Sequence, residues 1–246
     1  MAIEVIKTDL KEIQAFRILF LQESNFQFIY DKCHTYGWAD TYVFLQDKVK
    51  IGYGAIWGKD KRDERDAIFE CYLLKDYRTL ATAYFSLLQQ MSGAPFIECQ
   101  SNDALLTSLL FEHSQNIFAE AMLFEDHFQT RFTRPDTVFQ RLSPQQNAGS
   151  EPAEYVLKQQ EEILATGGLM LNYNMPFADI YYEVNKDYRQ RGFGSYMVQE
   201  LKRAAYSIGR VPAARCNITN LASKATLLKT GFSVCGYRLN GTIKKR

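Results

Sequence analysis

Alternating apolar and polar positions mark two stretches of this chain as strand pairs. Residues 41–58, TYVFLQDKVKIGYGAIWG, read as two strands around a short polar turn, and residues 154–171, EYVLKQQEEILATGGLML, read the same way. Both open on Tyr-Val, and a glycine follows each tyrosine by 12 positions, Tyr42 to Gly54 and Tyr155 to Gly167. A helical period appears instead in residues 9–24, DLKEIQAFRILFLQES, where Ile13, Phe16 and Phe20 share one face. Asp9 is suited to cap that helix, with Glu12 completing a capping box.

The similarity between the two halves extends further. AIFECYLLKDYR (residues 67–78) and ADIYYEVNKDYR (residues 178–189) are each a strand running into the same four letters, Arg78 and Arg189 being 111 positions apart. A helix-compatible run follows each, TAYFSLLQQM and SYMVQELKRAAYSIG. Then comes a short cysteine-bearing strand, with Cys99 and Cys216 offset by 117, an Asn-containing turn and a second helical run. Matches at nearly constant offset, in one order, predict two copies of one α/β unit, 1–127 and 128–246. The copies differ at their starts. The second has one strand and then the Pro-, Gln-, Asn- and Ser-rich segment SPQQNAGSEPAE, a loop or linker, where the first has helices.

Composition narrows the function classes. A formal net charge of +1 gives no electrostatic reason to expect nucleic acid or an anionic membrane surface. No apolar run reaches the roughly 18 residues of a membrane span, and the N-terminus lacks the layout of a signal peptide, so a cytoplasmic location is expected. The 5 cysteines are scattered and never spaced C-x-x-C, which predicts free thiols and no zinc site. The mixed-charge run GKDKRDERD (residues 58–66) reads as a solvated hairpin loop.

The chemistry concentrates in RQRGFG, Arg189-Gln190-Arg191-Gly192-Phe193-Gly194, set between a strand ending near Val184 and a helix beginning near Ser195. The first amides of a helix have no intrahelical acceptor and the helix dipole adds positive potential, so such a junction can hold a pyrophosphate. Glycines let the backbone approach the anion, and the flanking arginines add charge. No G-K-[ST] ending is present, and Met197 stands where a dinucleotide fingerprint has its third glycine. In the earlier copy, Ala81 and Ala83 replace the glycines and Leu80 the second arginine, so that copy is expected to bind the anion poorly.

VNKDYRQRGFGSYMVQEL resembles the acyl-CoA-binding motif of the GNAT acetyltransferase superfamily, R/Q-x-x-G-x-G/A after a strand ending in Val. Arg189, Gly192, Gly194 and Val184 fill its positions. NLASKATLLKTGF is similar to the N-x-x-S/A…G-F signature of the same superfamily, with Asn220, Ser223, Gly231 and Phe232 matching. The resemblance implies an α/β (α+β) fold of two GNAT-like units, each a mixed, mostly antiparallel sheet flanked by helices. It also implies that the amides of residues 190–195 cradle the CoA pyrophosphate, and that the strand around Val184 splays from its neighbour to pair with pantetheine. The Val184 amide then faces the thioester, and Asn220 and Ser223 contact the cofactor. The expected reaction is acyl transfer, acetyl from acetyl-CoA, to a primary amine without a metal. Glu183 or Asp179 is the candidate base, with an ordinary strand carboxylate as the alternative reading of each. Where many relatives carry an acidic Tyr this chain has Leu227, so Tyr237 or Tyr182 is the substitute donor, or water protonates the thiolate, with a buried structural tyrosine as the alternative reading of both. A CoA-binding scaffold and an aminoacyl-tRNA-dependent transferase are the competing readings. The amine, and whether the chain forms a homodimer, stay open.

Overall fold

The computed structural model describes residues 2–23, 30–143, 154–172 and 174–244. The chain divides into two compact units, Met1–Ala121 with Gly236–Arg246, and Met122–Cys235. The first unit begins with β1 (Ile3–Thr8), α1 (Leu10–Glu23) and α2 (Tyr30–Thr35), then β2 (Ala39–Gln46), β3 (Val49–Trp57) and β4 (Ala67–Leu73). A 3-10 segment, Lys75–Leu80, runs directly into α3 (Ala81–Ser92), and β5 (Phe96–Gln100), α4 (Ala104–His113) and β6 (Ser114–Asp126) follow. The second unit holds β7 (Thr137–Arg141), β8 (Tyr155–Gln159), β9 (Glu162–Met170) and β10 (Phe177–Val184). After the 3-10 turn Lys186–Tyr188 come α5 (Phe193–Ser207), β11 (Val211–Asn217), α6 (Leu221–Lys229) and β12 (Phe232–Ile243), whose residues from Gly236 on belong to the first unit.

Each unit contains a mixed sheet in which antiparallel pairs predominate. In the first, the order is β1-β2-β3-β4-β5-β12-β6, with β4 and β5 parallel. In the second it is β7-β8-β9-β10-β11-β6-β12, with β10 and β11 parallel. The duplicated Tyr and Gly positions are cross-strand neighbours in both, Tyr42 opposite Gly54 and Tyr155 opposite Gly167. A register shift also recurs, between Phe44 and Leu45 and between Leu157 and Lys158. The glycines have a packing reason: a Cβ on Gly54 would collide with Leu88 of α3, and one on Gly167 would collide with the backbone oxygen of Tyr181 and crowd Leu201 and Met197 of α5. Helix and sheet close on each other around Phe44, Ile68, Phe85 and Leu88 in one core and Ala165, Ile180, Met197 and Leu201 in the other.

The structure departs from the sequence reading at three places. The division falls at 121/122 rather than 127/128, and residues 236–246 belong to the first unit, where Arg238–Thr242 of β12 pair with Phe96–Gln100. Asn240 there donates to Glu120 Oε2 at 3.1 Å, and Arg238 makes an ion pair with the same carboxylate. On α1 the buried stripe is Ile13, Arg17 and Phe20, with Phe16 only half-buried. Arg17 is held by Asp31 at 3.0 Å and by the fully buried Glu70 at 3.4 Å, so its charge is compensated inside. Glu12 reaches Lys50 at 2.6 Å instead of closing a capping box. The linker residues 144–153 lie outside the described residues, and among the described residues no helix lies between β7 and β8. The run 58–66 is a loop between β3 and β4, and all 5 cysteines are free thiols.

Candidate functional site

Strands β10 and β11 run parallel for only three register pairs, Phe177 to Asp179 against Val211 to Ala213, and then part. Beyond that point β10 is paired on one side alone, with β9, through Val184 opposite Ala165. The amide of Asn185 goes to Leu164 O at 3.0 Å, on the β9 side. Because successive backbone groups on a strand point to opposite sides, the amides of Val184 and Tyr182 face the gap. An open polar strand edge is therefore presented to whatever enters the cleft.

At the end of β10 the chain turns on two left-handed residues, Gln190 with φ 61° and Gly192 with φ 83°. Gly192 is the N-cap of α5 and brings no side-chain cap. The first bond of the helix is from the Tyr196 amide to Gly192 O at 3.2 Å, which leaves the preceding amides directed past the helix end. Outward-directed amides at a helix start are the geometry that suits an anion. A Cβ on Gly192 would collide with Nη2 of Arg134, and the positive φ adds strain for any L side chain. Gly194 differs. Its backbone is ordinary, and a Cβ there would come within 3.3 Å of Val184 Cγ2, a tight contact rather than a clash.

Arg134 is a residue at the loop that the sequence did not reveal. Its Nη2 donates to Arg191 O at 2.5 Å and its guanidinium lies 5.3 Å from the Phe193 ring centre, so a third arginine stands over the loop. It is delivered there by α5. Gln199 accepts from Thr130 Oγ1 at 2.9 Å and from the Phe132 amide at 2.6 Å, and donates to Phe132 O at 3.0 Å. Lys202, almost wholly buried, donates to Phe128 O at 2.7 Å and Thr230 O at 2.9 Å and pairs with Asp126 at 2.6 Å. Arg189 has a more structural part than its motif position suggests: its Nε donates to Val184 O at 3.1 Å and Nη2 reaches Glu183 at 3.5 Å.

These elements enclose a cleft of about 730 Å³. Of the anticipated residues, Glu183, Val184, Arg189, Gln190, Gly192, Gly194, Ser195, Asn220 and Ser223 line it. Tyr182, Thr226 and Lys229 line it as well. Asn220 caps α6, accepting from the Ser223 amide at 3.0 Å, and the Ser223 hydroxyl lies 3.5 Å from that of Tyr182. Arg191 and Phe193 belong to the loop without lining the cleft; Arg191 stands 5.5 Å over the Tyr188 ring. Asp179 is buried at the root of the gap, 3.6 Å from Arg215, and is not a lining residue. Tyr237 is on the stretch assigned to the first unit, its amide donating to Ser101 Oγ at 2.9 Å, and it does not line this cleft. Leu227, where a tyrosine was sought, is buried in the core of the second unit. Among the described residues no group of His, Cys, Asp and Glu is arranged to hold a metal ion, and no helix is long and apolar enough to cross a membrane.

Comparison with known proteins agrees with this geometry. The family model of the GNAT acetyltransferases matches residues 118–232. A GNAT-family acetyltransferase from Colwellia psychrerythraea has a similar structure, with a TM-score of 0.79 at 15% identity over 99% of this chain and 100% of that one. A GCN5-related N-acetyltransferase from Sphaerobacter thermophilus gives 0.61 at 11% identity over 99% and 96%. A tandem GNAT protein from the clavulanic acid biosynthesis pathway gives 0.61 at 9% identity over the whole of both chains. No curated protein matches the chain by sequence.

Proposed function

We propose that the chain is a GNAT acetyltransferase, whose family model matches residues 118–232, and that it transfers an acyl group, acetyl in the first instance, from acyl-CoA to a primary amine in the second unit. The observation that carries this reading is the conjunction of a parted strand pair with a left-handed glycine turn whose amides are directed out of the helix end. The pyrophosphate sits on the amides of residues 190–195, with Arg134, Arg189 and Arg191 supplying charge. The pantetheine arm completes the open edge of β10, which brings the thioester carbonyl to the Val184 amide. That amide stabilises the oxyanion as the amine attacks.

Two proton movements accompany the transfer. Glu183, exposed and paired with Arg189, takes the ammonium proton through water. Tyr182, in the cleft beside Ser223, is better placed than Tyr237 to return one to the departing thiolate. Asp179 anchors Arg215 and acts on the strand rather than on the amine. The two units are a duplication in which the first has lost its acyl-CoA loop.

Acetyl-CoA, thiol detection and a panel of small amines, polyamines and lysine peptides test the proposal. Amine-dependent thiol release that falls at least tenfold in Tyr182→Phe supports it. Tight CoA binding with no acceptor-dependent thiol would instead favour a CoA-binding scaffold, the reading that the buried Leu227 supports.

A further inference from the structure

The first unit has its own cleft, of about 750 Å³, where β4 and β5 pair in parallel for only two positions, Ala67 opposite Phe96 and Ile68 opposite Ile97, and then part. The gap has survived, but its anion cradle has not. The amides after β4 are folded into the 3-10 segment, Tyr77 donating to Leu74 O at 2.9 Å and Ala81 to Arg78 O, and α3 follows without a left-handed turn. The helix after β5 differs as well. Its cap is Asp103, accepting from the Leu106 amide at 3.1 Å, where α6 has the neutral Asn220, 117 positions on. The same offset carries Glu112 of α4 onto Lys229 of α6, so the charge at this position is inverted between the copies. Glu112 accepts from Thr82 Oγ1 at 3.1 Å, and Thr82 is in the first turn of α3. A side chain leaving α4 at its last turn thus reaches the start of the preceding helix.

In the second unit the preceding helix starts at the glycine turn. Along the cleft α6 presents the small side chains Ala222, Ser223, Ala225 and Thr226, and then Lys229. Ser223 lies beside Tyr182 of the parted strand, its hydroxyl 3.5 Å from the phenol. A Cβ on Gly194 would stand 3.6 Å from Thr226 Cγ2, so α6 meets the turn at that residue. Lys229 is one helical turn farther from the strand, about 4.5 Å along the axis. Its Nζ is 5.7 Å from the ring centre of Phe132, a residue that Gln199 of α5 fixes through both backbone groups. Among the described residues lining the cleft the one acid is Glu183, at the strand end and paired with Arg189. The motif's own arginines are turned elsewhere, Arg189 to Val184 O and Arg191 onto the Tyr188 ring. The outer end of the lining therefore carries a lysine and no acid, in the copy that keeps its glycines.

From this pattern we infer that Lys229 reads the 3′-phosphate of coenzyme A and makes the cleft selective for CoA over its 3′-dephospho form. The inference rests on the acyl-CoA reading of the cleft. Counted from the thioester, the ribose comes after the pyrophosphate, so its 3′-phosphate belongs to the end of the cleft beyond the turn, where an ammonium gives it a charge-assisted partner. Calorimetric titration of the full chain with CoA and with 3′-dephospho-CoA, which differ in that phosphate alone, tests it in the wild type, Lys229→Gln and Lys229→Arg. The side chain is exposed, so both variants fold. Binding of CoA at least fivefold tighter than of dephospho-CoA in the wild type, a ratio below two in Lys229→Gln and a ratio restored in Lys229→Arg support the inference. Equal binding of the two ligands by the wild type, or a ratio that Lys229→Gln leaves unchanged, would overturn it. So would an equal loss of both ligands in that variant, which assigns the lysine to the pyrophosphate instead. If the wild type binds neither ligand, the acyl-CoA reading itself falls and this inference with it.

Discussion

The junctions after β4 and β10 start from the same letters and end in different conformations. In both, the arginine of Lys-Asp-Tyr-Arg donates through Nε to the last carbonyl of its strand, Arg78 to Leu73 O and Arg189 to Val184 O. The shared arginine is therefore a brace of the strand end in both units, whatever follows it. What differs is the next five residues. After Arg78 the chain winds on as a 3-10 helix and consumes its amides, whereas after Arg189 two left-handed residues turn the amides outward. The outward amides are in this sense a failure to continue the helix, imposed by residues that tolerate positive φ.

The largest effect lies in the caps that separate the two clefts. Asp103 has its carboxyl raised from 3.8 to about 7, first by burial and further by Glu70, against the Leu106 and Leu105 amides and Arg78, which lower it. A folded-state pKa above the unfolded one means that the native state holds the proton longer. The stability of the wild type relative to Asp103→Asn is thus greatest below pH 4, falls as pH rises from about 4 to about 7, and is flat above. At about 1.4 kcal/mol per pKa unit the change approaches about 4 kcal/mol. Denaturant midpoints of the two proteins at pH 4.5, 6 and 8 measure it. A constant difference between them would mean that Asp103 is not protonated in the native state.

The second effect concerns the glycine turn. Gly192→Ala puts a Cβ into a left-handed position and against Arg134, and is expected to weaken CoA binding about a hundredfold, close to 3 kcal/mol. Gly194→Ala meets only the 3.3 Å contact with Val184 and is expected to cost about tenfold, as is Arg134→Ala, which removes one cation from the loop. Calorimetric titration with CoA ranks the three. If Gly194→Ala proved the more damaging, close approach of the ligand to that residue, and not the conformation of the turn, would govern binding.

Much of this was legible in the letters, because it is local. The hairpins, the Tyr and Gly register and the placement of RQRGFG between strand and helix follow from period, turn residues and glycine. Arg134 was not legible, since its position depends on Gln199 and Lys202, which tether the segment 128–132 from the far side of α5. Nor was the place of residues 236–246. Which sheet a strand joins is decided by partners such as Glu98, Glu120 and Leu110, more than a hundred positions away. Arg17 breaks the apolar face of α1 because Glu70, itself buried, compensates it. Burial opposes the charge of Glu70, and Arg17 and His34 together outweigh that, holding its carboxyl below the usual range.

The smallest effect is also the sharpest test of the comparison. Ala81 and Ala83 are the counterparts of Gly192 and Gly194, so Ala81→Gly with Ala83→Gly restores the motif's glycines to the first unit. The conformation does not follow, because the 3-10 bonds through Ala81 and the unbroken entry into α3 remain available to glycine. No CoA binding is expected from the first cleft, read as an unchanged stoichiometry of one per chain and as none in the Gly192→Ala background. Each glycine loosens the first turn of α3 and costs up to about 1 kcal/mol, visible as a small fall in thermal midpoint. Appearance of a second CoA equivalent would mean that the alanines alone had closed the first cleft, and that the amides of the 3-10 segment can be recruited by a phosphate.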